Sequence, residues 1–252
     1  MRIRVEYIFI CLVALSTSCS SGSNSSGGQK NLKVFAASSL TEVLPELADA
    51  FDAEHPEAKL TFSFGSSSDL ATQVLEGAPV DIFVSADDSN MQKVVEGGEA
   101  VSVPTTVASN TFEIIVAKGN PFGIASVADL ANPDLIVINC VETAPCGKGA
   151  VAILDNAGIK VTPKSYEEKV KGVVTKVTSG EADAGIVFVT DVLAAGDTAS
   201  GVEIPADINV LSNYPMVVTK SSSHYELAQA FIDFIAGNAG QTILAKFGFL
   251  TP

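Results

Sequence analysis

Two serine clusters carry the clearest chemistry in this sequence. Ser38-Ser39 follows the strand-like run Leu32–Ala37 and precedes the helix-like Leu40–Leu44. Ser66-Ser67-Ser68 follows Leu60–Gly65 and precedes Asp69–Thr72 in the same way. A helix start exposes backbone N–H groups at the positive end of the peptide dipole, and hydroxyls add further donors. Serine is also a preferred helix N-cap, so either cluster alone needs no ligand. Both clusters hold more serines than a cap uses. Strand-to-helix junctions of an open parallel sheet face one crevice, so together they favour a donor-lined pocket for a small oxyanion.

The rest of the inventory narrows that chemistry. The only arginines are Arg2 and Arg4, so a chain cut after them has no guanidinium fork for phosphate or carboxylate. Backbone N–H groups, hydroxyls and Lys must then hold any anion. A serine nucleophile needs a base, and only His55 and His224 exist, both read as surface turn residues. There is no Gly-x-Ser-x-Gly elbow, and Gly147-Lys148-Gly149 lacks the upstream Gly and following Ser/Thr of a phosphate loop. The scattered carboxylates read as a solvated acidic surface. Two more helix starts, at Pro145–Gly149 and at Val170-Lys171-Gly172, fall in the second half of the chain, where helix initiation alone would also explain them.

The chain has 252 residues, 47% of them hydrophobic and 17% charged, enough for one large or two medium folded units. A formal charge of −14 argues against nucleic acid or an anionic membrane surface as partner. Arg2 and Arg4 precede the apolar run Tyr7–Leu15, which is too short to span a bilayer and reads as an export signal. Leu15-Ser16-Thr17-Ser18-Cys19 resembles a lipobox, with Leu one place further from Cys19 than usual; Cys11, after bulky Ile10, fits less well. An ordinary secretory signal is the alternative. The flexible Ser20–Lys30 favours a lipoprotein tethered through Cys19. Cys140 and Cys146 are then read as a disulfide in an oxidising exterior, with a redox dithiol as the weaker rival.

From Leu32 strands and helices alternate, giving an α/β class with largely parallel strands. Leu40, Val43, Leu44, Leu47 and Phe51 have helical spacing, with Pro45 disturbing the first turn. Ser39-x-x-Glu42 and Ser66-x-x-Asp69 read as capping boxes. Strands are expected at Val80–Ser85, Phe112–Ala117, Asp134–Asn139, Ala184–Val189 and Met216–Thr219. Helices are expected at Leu70–Glu76, Lys148–Asn156, Lys169–Ser179, Tyr225–Ile235 and Gly240–Lys246. Ser109–Thr111 and Ser212–Pro215 read as crossings between two lobes, with a cleft between them that a hinge closes.

Phe35–Leu40, Phe64–Ser68, Gly77–Ala86 and Gly185–Asp191 together resemble the molybdate-binding proteins of ABC importers, and the similarity runs from about Leu32 to Pro252. The resemblance implies a two-lobed type II periplasmic-binding-protein fold with a ligand cleft and two hinge crossings. With the signal read over 1–19 and the tether over 20–31, one lobe is expected from 32–111 with 215–252, and a second from 112–214. The expected ligand is molybdate or tungstate, with no cofactor and no catalytic residue. Ser39 and Ser67 would donate hydroxyl and backbone N–H, while Cys146 and Val170 would each give a backbone N–H. Phe188 occupies a position where the family usually has Tyr, and so lacks one hydroxyl. The expected partners are the oxyanion and a membrane permease, with membrane attachment only through lipid and the receptor itself a monomer. A receptor for sulfate or another tetrahedral oxyanion is the alternative; an extracytoplasmic thiol or serine enzyme is a remote one.

Overall fold

A computed structural model describes residues 29–252. The basic start, Cys11, the lipobox-like Leu15–Cys19 and most of the tether lie outside the described residues. In chain order the elements are β1 Lys30–Ala37, α1 Val43–Asp52, β2 Ala58–Gly65, α2 Ser67–Leu75, β3 Ile82–Val84, α3 Asp88–Glu96 and β4 Thr105–Asn110. Then follow β5 Phe112–Ala117, β6 Ile138–Cys140, α4 Pro145–Ala157, β7 Ser165–Glu167, α5 Val170–Thr178, β8 Ala184–Phe188, α6 Val189–Ala195 and β9 Ala199–Glu203. The chain closes with β10 Ser212–Val218, α7 Tyr225–Ala236 and α8 Asn238–Lys246.

Alternation in β1 buries Leu32, Val34 and Ala36 in the main core while Lys33 faces out; further along the other face, Phe35 packs on a second apolar cluster and Ala37 is buried. It sits inside a five-stranded sheet of order β2-β1-β3-β10-β4. Parallel pairing sets Ala37 opposite Gly65 and Ala36 opposite Val84. The carboxyl ends of β1, β2 and β3 therefore stop level with one another, and the residues after each emerge at one edge. The second lobe holds the sheet β8-β5-β9 and the pair β6-β7, joined by a bridge from Val137 to Ala184. Thr111 alone separates β4 from β5, so the outward crossing is very short.

Helix α1 begins at Val43 because Pro45 has no N–H to give; in the first turn that donor has no intrahelical partner anyway. A 3-10 turn over Ser38–Leu40 fills the interval. Val43, Leu44, Leu47 and Phe51 bury one face of α1, and Phe51 meets Phe231 and Phe234 of α7 edge-on at 5.1 and 5.6 Å. The C-terminal helices thus pack back on the first lobe.

Several sequence expectations need correction. The strands are mixed rather than largely parallel, because β10 runs antiparallel to both β3 and β4, and β5 runs antiparallel to β8 and β9. The strand expected at Met216 starts at Ser212, and the one expected over Asp134–Asn139 is confined to Ile138–Cys140. Helices α3 and α6 and strands β4, β7 and β9 were not anticipated. Neither capping box forms: Ser39 Oγ lies 2.9 Å from the Tyr214 hydroxyl, and Ser66 Oγ lies 2.8 Å from Ser68 Oγ. Those hydroxyls have partners other than the helix N–H groups they would cap.

Candidate functional site

The level strand ends bring Ala37-Ser38-Ser39, Gly65-Ser66-Ser67 and Ala86 to one wall of a small cavity. Pro145 and Cys146 from the start of α4, Lys169 and Val170 from the start of α5, and Phe188 from the end of β8 form the opposite wall. Ser39, Ser67, Cys146, Val170 and Phe188, widely separated in sequence, thus meet at one place. The cavity is small: its volume is about 10 Å3, room for about one water and far below the ~300–1,000 Å3 of pockets that take larger organic ligands. In a chain of formal charge −14, no carboxylate lines this cavity. Lys169 is the one charged lining residue.

Helix starts supply most of the lining. Neither the 3-10 turn at Ser38 nor α2, α4 or α5 has a side chain bonded to its first N–H groups. Helix α3, whose first residues do not line the cavity, is capped in the usual way by Asp87, whose Oδ1 accepts from Asn90 N–H at 2.6 Å. Three α-helix starts and one 3-10 turn thus bring backbone N–H groups without side-chain caps to one cavity, a lining that favours an anion without any guanidinium. The Ser67 hydroxyl oxygen accepts from Ala86 N–H at 2.9 Å, which leaves its own proton free to donate.

Cys140 and Cys146 form a disulfide with Cα atoms 5.7 Å apart, joining the end of β6 to the first turn of α4. This pairing leaves no free thiol at the cavity. Gly147 belongs to the same device, because a Cβ there would overlap the Val141 carbonyl. The loop tied off is short, and by chain entropy its closure is worth ~2 kcal/mol. Replacing both cysteines by alanine should lower the melting temperature by ~4–8 °C. Scanning calorimetry checks this, and an unchanged melting temperature would show that packing alone holds the turn.

Ion pairs span the two lobes on either side of the cavity. Lys148 Nζ of α4 lies 2.8 Å from Asp87 Oδ2, and Lys171 Nζ of α5 lies 2.8 Å from Glu42 Oε2. Lys171 also lies 2.9 Å from Asp191 Oδ1. That contact is close but not aligned as a hydrogen bond, and neither oxygen of the fully buried Asp191 has an aligned partner. Burial pushes the Asp191 carboxyl up to about 6, against the opposing pull of Lys171. Burial also works against the Lys171 charge, but Asp191 and Glu42 together outweigh it and raise the Lys171 pKa.

Sequence reasoning missed several members of this region. Tyr214 and Asn110 fall in segments that read as crossings, and Glu42 reads as a cap residue. Lys148, in sequence part of a loop that resembles a phosphate loop only weakly, bridges to Asp87 and Ser89 of the other lobe. The two histidines lie outside the cavity: His55 stacks on Phe51 at 4.3 Å, and His224 is the residue before α7.

The chain is 38% identical over 247 residues to the molybdate-binding protein ModA of Mycobacterium tuberculosis, covering 96% of this chain and 95% of that one. It is 30% identical over 237 residues to the protein of the same name from Escherichia coli, covering 90% and 91%. The periplasmic molybdate-binding protein of Azotobacter vinelandii superposes with a TM-score of 0.76 at 23% identity, covering 88% of this chain and 99% of that one; this likeness concerns the fold. A family model described as bacterial extracellular solute-binding protein matches residues 32–250. With its two lobes, its cleft and its helix starts turned inward, the chain belongs to the bacterial extracellular solute-binding proteins.

Proposed function

We propose that this protein captures molybdate or tungstate outside the cytoplasmic membrane, closes its lobes around it and delivers it to an ABC permease. The observation that carries this reading is the donor lining: uncapped helix starts from both lobes and two serine hydroxyls, with no carboxylate among them. Ser39 and Ser67 give hydroxyl and backbone N–H groups; Cys146 and Val170 give backbone N–H groups. A lining of donors suits a fully deprotonated dianion and offers little to the proton of hydrogen phosphate. It also supplies no general base, in keeping with a receptor rather than an enzyme. The lobes are 32–111 with 215–252, and 112–214, with the start of β10 favouring a return nearer Ser212. The receptor acts as a monomer, anchored by lipid at Cys19.

Thermal melting in the presence of four oxyanions tests this. With ligand at a thousandfold over its dissociation constant, molybdate and tungstate should raise the melting temperature by ~10 °C, and sulfate and phosphate much less. A sulfate shift equal to or above that of molybdate would overturn the assignment. Phe188 adds a second check. Its ring lines the cavity and packs on Phe112 at 4.6 Å, but it carries no hydroxyl. Phe188→Tyr should tighten molybdate binding ~10-fold, as expected for one added hydrogen bond to a charged ligand. Unchanged or weaker affinity would argue that the cavity has no room for a further donor.

A further inference from the structure

The Ser39 hydroxyl can serve an anion only if its single proton points into the cavity. A serine hydroxyl has one donor and two acceptor lone pairs. If that proton were spent on a neighbour, Ser39 would turn a lone pair toward the ligand and repel it. Ser67 avoids this because its oxygen accepts from Ala86 N–H, a group that can only donate.

Ser39 has no backbone donor on its oxygen. Its partner is the Tyr214 hydroxyl, 2.9 Å away, which can donate or accept. The direction is set one layer further back. Asn110 Oδ1 accepts from Thr111 N–H at 3.0 Å, which fixes the amide with Nδ2 turned the other way. Nδ2 then donates to Thr190 Oγ1 at 2.9 Å and, at a longer 3.5 Å, to the Tyr214 hydroxyl. An amide nitrogen cannot accept. Tyr214 therefore receives from Asn110 and keeps its own proton for Ser39. The Tyr214 ring is held edge-on against Phe188 at 6.0 Å and Phe249 at 5.3 Å, so the hydroxyl has little freedom to turn away. Tyr214 is wholly buried, and this burial raises its pKa, so the hydroxyl remains a donor.

We propose that Tyr214 is a positioning residue for anion binding: a one-way chain from the Asn110 amide through the Tyr214 hydroxyl fixes the Ser39 proton toward the cavity. Tyr214 does not touch the anion. This places a tyrosine hydroxyl one layer behind the pocket in a protein whose cavity-lining ring, Phe188, has none. The inference rests on the oxyanion reading above, and it makes the two serines equivalent: each is held from behind by a donor, and each has its proton free.

The test is a double-mutant cycle read by calorimetry with molybdate and, in parallel, sulfate as probes. Tyr214→Phe keeps the ring packing and removes only the hydroxyl; it should weaken binding ~10-fold. In a Ser39→Ala background the same change should alter affinity by less than ~2-fold, because there is no proton left to direct. In a Ser67→Ala background the ~10-fold loss should persist. A purely structural tyrosine would cost the same in all three backgrounds, and that result, or wild-type affinity in Tyr214→Phe, overturns the proposal. If the wild type binds sulfate but not molybdate, the molybdate reading fails while the cycle, run on sulfate, still decides the role of Tyr214. Binding of neither anion overturns both.

Discussion

Replacing Ser39 and Ser67 together by alanine lowers molybdate affinity by ~10²–10⁴-fold. Each hydroxyl would donate to a charged ligand, and such a bond is worth ~1.5–3 kcal/mol. Two of them account for the range, since every 1.4 kcal/mol is tenfold. The loss is large because little else can substitute. No arginine is present after Arg4, and Lys169 is the only charged residue lining the cavity. The substitutions also leave the Ala86 N–H and the Tyr214 hydroxyl without their serine partners at the cavity wall. Ser68→Ala is the control: Ser68 does not line the cavity, and its hydroxyl bonds Ser66 and lies near Asp69. Competition binding should place that variant within ~3-fold of wild type. A double serine variant within tenfold of wild type would mean that backbone N–H groups alone hold the anion.

Lys171→Met should destabilise the protein by ~3–5 kcal/mol at alkaline pH, the cost of leaving a buried carboxylate without its cation. The sign of the pH dependence follows from Asp191. Its carboxyl sits at about 6 in the folded protein and near ~3.9 when unfolded. Between those values the folded state holds a proton that the unfolded state has lost. Stability from this group is therefore full below ~pH 4 and falls as pH rises to 6, by ~3 kcal/mol in all. In Lys171→Met the main opposition to burial is gone, the Asp191 pKa climbs further, and the decline continues above pH 6. Asp191→Asn removes the titration altogether. Chemical denaturation of the three proteins from pH 4 to 9 checks this, with Asp191→Asn as the baseline. A wild-type curve parallel to that of Asp191→Asn would show that Asp191 is not held in this way.

The site was legible because oxyanion recognition by neutral donors leaves a composition signature. Serines gather after strands, and arginine is missing from everything beyond the first few residues. The resemblance to molybdate-binding proteins then singled out Ser39, Ser67, Cys146, Val170 and Phe188, which the fold gathers around one cavity. What escaped were interactions that depend on elements distant in sequence. Tyr214 follows Ser39 by 175 positions, and no local pattern links a tyrosine before a proline to a serine after a strand. Lys171 looked like an ordinary helix-start lysine until α5 was placed against Glu42 and Asp191. The helix α3 was hidden because Asp87-Asp88 reads equally well as a turn, and only the cap bond to Asn90 separates the two. The return strand β10 starts earlier than its sequence suggests because Ser212–Pro215 reads as a crossing between lobes. Proline is tolerated there at the irregularity between Tyr214 and Pro215, where pairing with β4 shifts register.

The most direct measurement is a calorimetric titration of molybdate into the full protein freed of bound anions by unfolding and refolding. The account predicts one site per chain with a dissociation constant below ~1 μM, lost in the Ser39→Ala, Ser67→Ala double variant. No binding at that concentration, or tighter binding of sulfate, would contradict it.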